Sequence, residues 1–118
     1  MHMHALGRII IMWAANVLAV LIASYYIAGF SVRFTPADLL IVAAILTFLN
    51  VTIKPFLTLL FGPVIILTLG LGLIIVNAIV LKVLDVLSPA VTVGGILPLV
   101  YSAILIGVIN FLFHAAEK

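Results

Sequence analysis

The stretch Lys54-Pro55-Phe56-Leu57-Thr58-Leu59-Leu60-Phe61-Gly62-Pro63-Val64-Ile65-Ile66-Leu67-Thr68-Leu69-Gly70-Leu71-Gly72 decides how this chain folds. It carries no charge after Lys54, and beyond Pro55 it is punctuated only at Gly62-Pro63 and Gly70-Leu71-Gly72. Gly-Pro is a strong turn signal. A helix that starts near Ala37 is therefore expected to run to about Leu60, with Pro55 kinking its last turns. The chain then turns at Gly62-Pro63, and a third helix begins there. In a competing layout the second helix stops at Lys54-Pro55, and residues 56–69 form an interfacial or re-entrant piece. The first layout is the expectation, because Gly-Pro is the stronger break. Gly70 and Gly72 then fall at the start of the third helix with no basic residue nearby. They read as helix packing or a local kink, not as a phosphate-cradling loop.

Downstream, this helix ends near Lys82-Val83-Leu84-Asp85, with Leu87-Ser88-Pro89 as its stop. Residues 90–95 form a short loop, and a fourth apolar run covers about 96–114. Upstream, a first apolar run covers about 7–29, with Arg8 at its entrance and Trp13, Tyr25 and Tyr26 toward its ends. Trp and Tyr favour the two interfaces of a bilayer. The polar stretch 31–38 separates this run from the second, and Pro36 suits the first turn of the new helix, where its missing N–H costs nothing.

Composition agrees with four spans. Of 118 residues, 68% are hydrophobic and only 7% charged, against roughly 25% charged in a soluble domain. Eight charges cannot cover a water-soluble surface, so a soluble globular enzyme is excluded. Disorder is excluded with it, because that needs low hydrophobicity and high charge. Four spans of about 20 residues use roughly 80, leaving about 38 for ends and loops. There is no cysteine, hence no disulfide, thiol chemistry or Cys-based metal site. A net charge of +2, scattered along the chain, offers no clustered basic face for nucleic acid. Met1-His2-Met3-His4 reads as a chain terminus, not as a metal site. No small-residue cleavage site closes the first apolar run, so it is expected to be a retained span.

The two halves resemble each other. Asn16 to Asn50 and Asn77 to Asn110 span 34 and 33 residues. A shift of 60 lays Ala43 on Ala103, Thr47 on Gly107 and Asn50 on Asn110. Phe30-Ser31-Val32 lies over Val91-Thr92-Val93. Each half is a two-helix hairpin (repeat one about 7–61, repeat two about 63–116), and two hairpins in series share one topology. They should be related by an axis along the membrane normal. Both connecting loops alternate apolar and polar residues, and a short β-ribbon between them is one arrangement open to them.

Each expected span holds one asparagine: Asn16, Asn50, Asn77 and Asn110. An amide in hydrocarbon is costly without a hydrogen-bond partner, so all four should face protein. Interhelical bonds of this kind contribute on the order of 0.6–2 kcal/mol each. Gluing the helices is the expected role; lining a polar path or binding an ion is the alternative. Ala43, Thr47, Asn50 and Lys54 follow one helix face, as do Ala103, Gly107, Asn110 and His114. Ala15, Ala19 and Ala23 form a third small-residue face, and small residues let backbones approach closely. These faces meet either inside the bundle or at a subunit contact.

The remaining charges sit at expected helix ends. Lys82 and Asp85, three apart, can pair near the outer interface, with the lysine snorkelling outward; a gate or ion-binding element is the sharper reading. Lys54 lies near the inner interface, within reach of headgroups. His114, near a helix end, reads as interfacial before it reads as a pigment or haem ligand. No nucleophile–base pair, paired carboxylates or phosphate loop is present, so no catalytic residue, cofactor or metal is expected. Arg8, Lys54 and Lys118 fall on one side against Arg33 and Lys82 on the other. That bias places both termini in the cytoplasm.

Leu49-Asn50-Val51-Thr52-Ile53-Lys54-Pro55, then Pro63, then Leu67-Thr68-Leu69-Gly70-Leu71, then Val76-Asn77-Ala78, resembles the signature of the mycobacterial four-transmembrane phage holin superfamily, which includes YvlD-like small bacterial membrane proteins. Length, span number and duplicated hairpin agree over nearly the whole chain. Where that family often has Phe after the Leu-Thr-Leu-Gly-Leu element, this chain has Gly72, which loosens the start of helix three. The resemblance implies a protein of the bacterial cytoplasmic membrane. It also implies holin-like behaviour: oligomerisation into membrane lesions that release a lysis enzyme. It supplies no catalytic residue.

The expectation is thus one all-α domain, residues 1–118, of four transmembrane helices in two repeated hairpins. Its partners are the lipid bilayer and further copies, met through the asparagine and small-residue faces. A structural accessory subunit of a larger membrane complex is the second reading. A small-solute or ion transporter is the weakest, because charges near any path lie only at helix ends.

Overall fold

The computed structural model of the protein describes residues 5–32 and 35–116. The terminal Met-His pairs, Arg33 and Lys118, on which part of the orientation count rests, lie outside the described residues. In chain order the elements are α1 (Ala5–Tyr26), β1 (Phe30–Val32), α2 (Pro36–Leu60), α3 (Gly62–Leu67), α4 (Leu73–Leu87), β2 (Val91–Val93) and α5 (Ile96–Ala116).

Local chemistry sets most of these boundaries. Thr35 caps α2: its hydroxyl accepts from the Asp38 backbone N–H at 3.1 Å, and Pro36 fills the first helical position. Pro55 lies inside α2 without ending it, and the helix closes at Leu60 ahead of Gly62-Pro63, as the turn signal predicts.

The third helix departs from expectation. It is broken into α3, of 6 residues, and α4, of 15. The Leu67-Thr68-Leu69-Gly70-Leu71 motif is the reason. Gly70 N–H donates to the Ile65 carbonyl at 2.8 Å and Leu69 N–H to the Ile66 carbonyl at 3.1 Å, the paired bonds of a Schellman stop. Leu69 and Gly70 have φ of +56° and +96°, so the helix cannot continue through them. The Thr68 hydroxyl donates to the Val64 carbonyl and accepts from the Gly72 N–H at 2.8 Å, tying the end of α3 to the start of α4. A side chain at Gly72 would put its Cβ 2.9 Å from the Ile65 Cα. Gly72 therefore permits the chain leaving α3 to turn closely past Ile65 before α4 begins, and more than a kink results.

Three helices, α1, α2 and α5, are long and apolar enough to cross a membrane. Helix α4 is about 22 Å long at 1.5 Å per residue, short of a hydrocarbon core of about 30 Å.

The helices form a ring: α1 packs on α2 and α5, and α4 packs on α2 and α5. Strands β1 and β2 pair antiparallel, Phe30 with Val93, Ser31 with Thr92 and Val32 with Val91. This ribbon departs from an all-α fold. Phe30, Val32 and Val91 point inward and are buried, while Ser31 and Thr92 are exposed, the period-2 alternation of a strand with one covered face. The ribbon closes the ring at the C-terminal end of α1. The core holds Val20, Val42, Leu46, Leu49, Val80, Leu81 and Leu84, with alanines where helices approach most closely. The outer wall carries exposed Leu18, Ile41, Phe48, Val108 and Phe111, among others.

The small-residue faces lie inside the chain. Ala15, Ala19, Ala23, Ala43 and Ala103 are at most 1% exposed and Thr47 is 4% exposed. Of the two arrangements open to these faces, these residues take the one inside the bundle.

Candidate functional site

At the end of the ring away from the ribbon, four helices enclose a cavity of about 430 Å³. Each contributes one face. Arg8, Ile11, Met12 and Ala15 come from α1, Asn50 and Lys54 from α2, and Leu73 and Asn77 from α4. Gly107, Asn110, Phe111, Phe113 and His114 come from α5. Spacings of three and four put these side chains on single helix faces.

Three of the four asparagines meet here. Asn110 donates its amide to the Ile106 carbonyl one turn back at 2.9 Å. Among the described residues, the side-chain amides of Asn50 and Asn77 have no hydrogen-bond partner. A second, smaller space of about 10 Å³ shares these asparagines and Lys54 and is walled by Leu46, Val80, Leu81, Ala103 and Ile106, which is room for about one water.

The fourth asparagine meets a different neighbour. Asn16 is fully buried; its amide donates to the Thr47 hydroxyl at 2.8 Å, and that hydroxyl donates to the Ala43 carbonyl at 2.8 Å. Asn77 stands at the matched position in the second half, but its neighbour, matched to Thr47, is Gly107. A Cβ at Gly107 would lie 2.6 Å from Asn77 Nδ2. The amide thus packs where a side chain would be and meets no hydroxyl. The same sequence position is glue in one half and cavity lining in the other.

Charge is segregated. Arg8 and Lys54 line the cavity, and among the described residues neither has a carboxylate partner. His114 joins them at the wall. The described carboxylates sit at the ribbon end: Asp38 caps α2 with Thr35, and Asp85 pairs with Lys82 at 3.7 Å. The expected Lys82–Asp85 pair is thus formed, with Lys82 largely exposed, while Lys54, expected as a helix-end anchor, is half-buried at the cavity. Among the described residues no group of three metal-ligating side chains occurs.

Sequence reasoning missed the apolar part of this lining. Leu73 enters it because α4 starts there. Met12, four residues from Arg8, carried a legible signal that was not used. Trp13, expected toward an interface, donates its indole N–H to the Leu40 carbonyl at 3.0 Å and ties α1 to α2. Tyr25 and Tyr26 lie exposed at the end of α1.

Long apolar helices, an outer wall of exposed large hydrophobics and polar groups turned inward define a helical membrane protein. The family model described as mycobacterial 4 TMS phage holin, superfamily IV, matches residues 7–112, and the chain belongs to that family. No curated protein and no solved structure matches the chain.

Proposed function

We propose that this protein is a multi-pass, non-enzymatic component of the bacterial inner membrane whose working part is the polar cavity, and that the cavity holds an anionic group. One observation carries the reading: Arg8, Lys54 and the amides of Asn50 and Asn77 line one cavity, and among the described residues these amides have no hydrogen-bond partner and the lining holds no carboxylate. Ammonium, guanidinium and amide N–H groups are all donors, and in a low-dielectric surround they favour an anion. Among the described residues, the two cations without a carboxylate partner, Arg8 and Lys54, lie at this end, which supports an orientation with the cavity and both termini toward the cytoplasm.

Two repeated hairpins, 7–61 and 63–116, organise the spans in this reading, with α4 as the short fourth. The ring order and the ribbon support it: a two-fold exchanging α1 with α4 and α2 with α5 preserves every packed pair and maps the β1–β2 register onto itself. Assembly with further copies, or docking on a larger membrane complex, uses the apolar outer wall, because the alanine faces are buried within the chain.

Dodecyl phosphate titrated into the protein in zwitterionic detergent tests the anion site. It should raise the unfolding temperature of the wild type, because a ligand that binds only the folded state stabilises it, and leave Lys54→Gln unmoved. An equal shift in both, or none in either, removes the reading.

A further inference from the structure

We infer that the anion held in this cavity is the phosphate headgroup of a membrane lipid, with its tail lying along the apolar side of the cavity. The inference rests on the anion-binding reading above and adds the class of ligand. Three features of the cavity favour an amphiphile over a free ion.

The first is its two-part lining. A polar floor of Asn50 and Asn77 with Lys54 is joined to a wall of Leu73 and Phe111, which are 39% and 67% exposed. In a membrane protein such exposed apolar side chains face lipid, so the polar floor is reached past hydrocarbon-facing residues. A free phosphate gains nothing from that wall, whereas a lipid tail covers it. Basic pockets between spans on the cytoplasmic side are suited to anionic headgroups. The cavity also lies within the roughly 300–1,000 Å³ range of small-molecule sites.

The second feature is the broken helix. The apolar run that begins at Gly62 is interrupted at 68–72, and α4 opens at the cavity wall with Leu73. Interrupted spans in membrane proteins place helix ends and basic groups at ligand sites.

The third feature is the departure from the repeat. Thr47 occupies the amide of Asn16, whereas Gly107 leaves that of Asn77 to the cavity. A threonine at 107 would put its Cβ 2.6 Å from the present position of the Asn77 amide nitrogen and so push that amide from its place at the headgroup.

Native mass spectrometry of the protein in neutral detergent tests this, with phosphatidylglycerol, phosphatidylcholine and inorganic phosphate added separately. Wild type should retain one phosphatidylglycerol in preference to phosphatidylcholine. Lys54→Gln should weaken that retention roughly fivefold, as removal of one basic contact to an anionic headgroup does. Gly107→Thr and Asn77→Leu should weaken it as well, with helical content unchanged by circular dichroism. If Gly107→Thr does not fold, Lys54→Gln and Asn77→Leu carry the test. Phosphatidylglycerol retained equally by wild type and all variants overturns the inference, because the lipid is then only annular. Inorganic phosphate bound in a Lys54-dependent way, with no preference for phosphatidylglycerol, overturns the lipid source and leaves the anion cavity standing. Lys54-dependent binding of neither probe overturns both.

Discussion

Asn16 and Asn77 occupy matched positions in the two halves and end in different chemistry, because one faces Thr47 and the other Gly107. That contrast separates structural from functional asparagines and makes them testable. Asn16→Leu deletes a buried interhelical bond and should lower stability by about 1 kcal/mol. Asn50→Leu removes an amide with no side-chain partner among the described residues and should leave stability close to wild type. Reversible unfolding of both variants in mixed micelles measures the difference; equal losses would mean that Asn50 has a partner in the folded chain. The presence of one asparagine per span was legible in the sequence, since a lone amide among apolar residues is conspicuous. Its partner was not, because a hydroxyl and a hydrogen atom at matched positions look alike to a periodicity argument.

At the scale of elements, α2 was legible to its last residue because Thr35-Pro36 and Gly62-Pro63 are local signals that tertiary structure leaves alone. The break after Leu67 was not. Leucine at position 69 gives no hint of a positive φ, and the bonds that stop the helix are read only from coordinates. Leu69 in the left-handed region carries strain of about 1 kcal/mol, so Leu69→Gly should be neutral or stabilising by up to that amount. Gly72→Phe should instead cost about 1–3 kcal/mol, the range of overpacking, because its Cβ meets the Ile65 backbone. Thermal unfolding of the two variants should move in opposite directions or, for Leu69→Gly, not at all. Stabilisation by Gly72→Phe would show that Gly72 does not lie against the Ile65 backbone. The β-ribbon sat between these cases: alternation in both loops permitted it, and only the packed ring brings the loops together.

For the whole molecule, composition alone fixed the membrane setting, because eight charges cannot solvate 118 residues. Whether the polar stripes face a partner or the chain's own interior was beyond the sequence, since a helical stripe has the same spacing either way. The burial of Ala15, Ala19, Ala23, Ala43 and Ala103 turns them inward. A family name that implies lesions therefore meets a chain whose small-residue faces are buried and whose polar groups turn to its own cavity. Liposomes reconstituted at increasing protein density should keep an entrapped dye, and leakage that rises with density would favour lesion formation through the outer wall. A cavity that holds an anionic group should show it in the native mass of the protein extracted straight from bacterial membranes. Wild type should carry the added mass of an anionic ligand that Lys54→Gln lacks; the same mass on both, or bare protein in both, contradicts it.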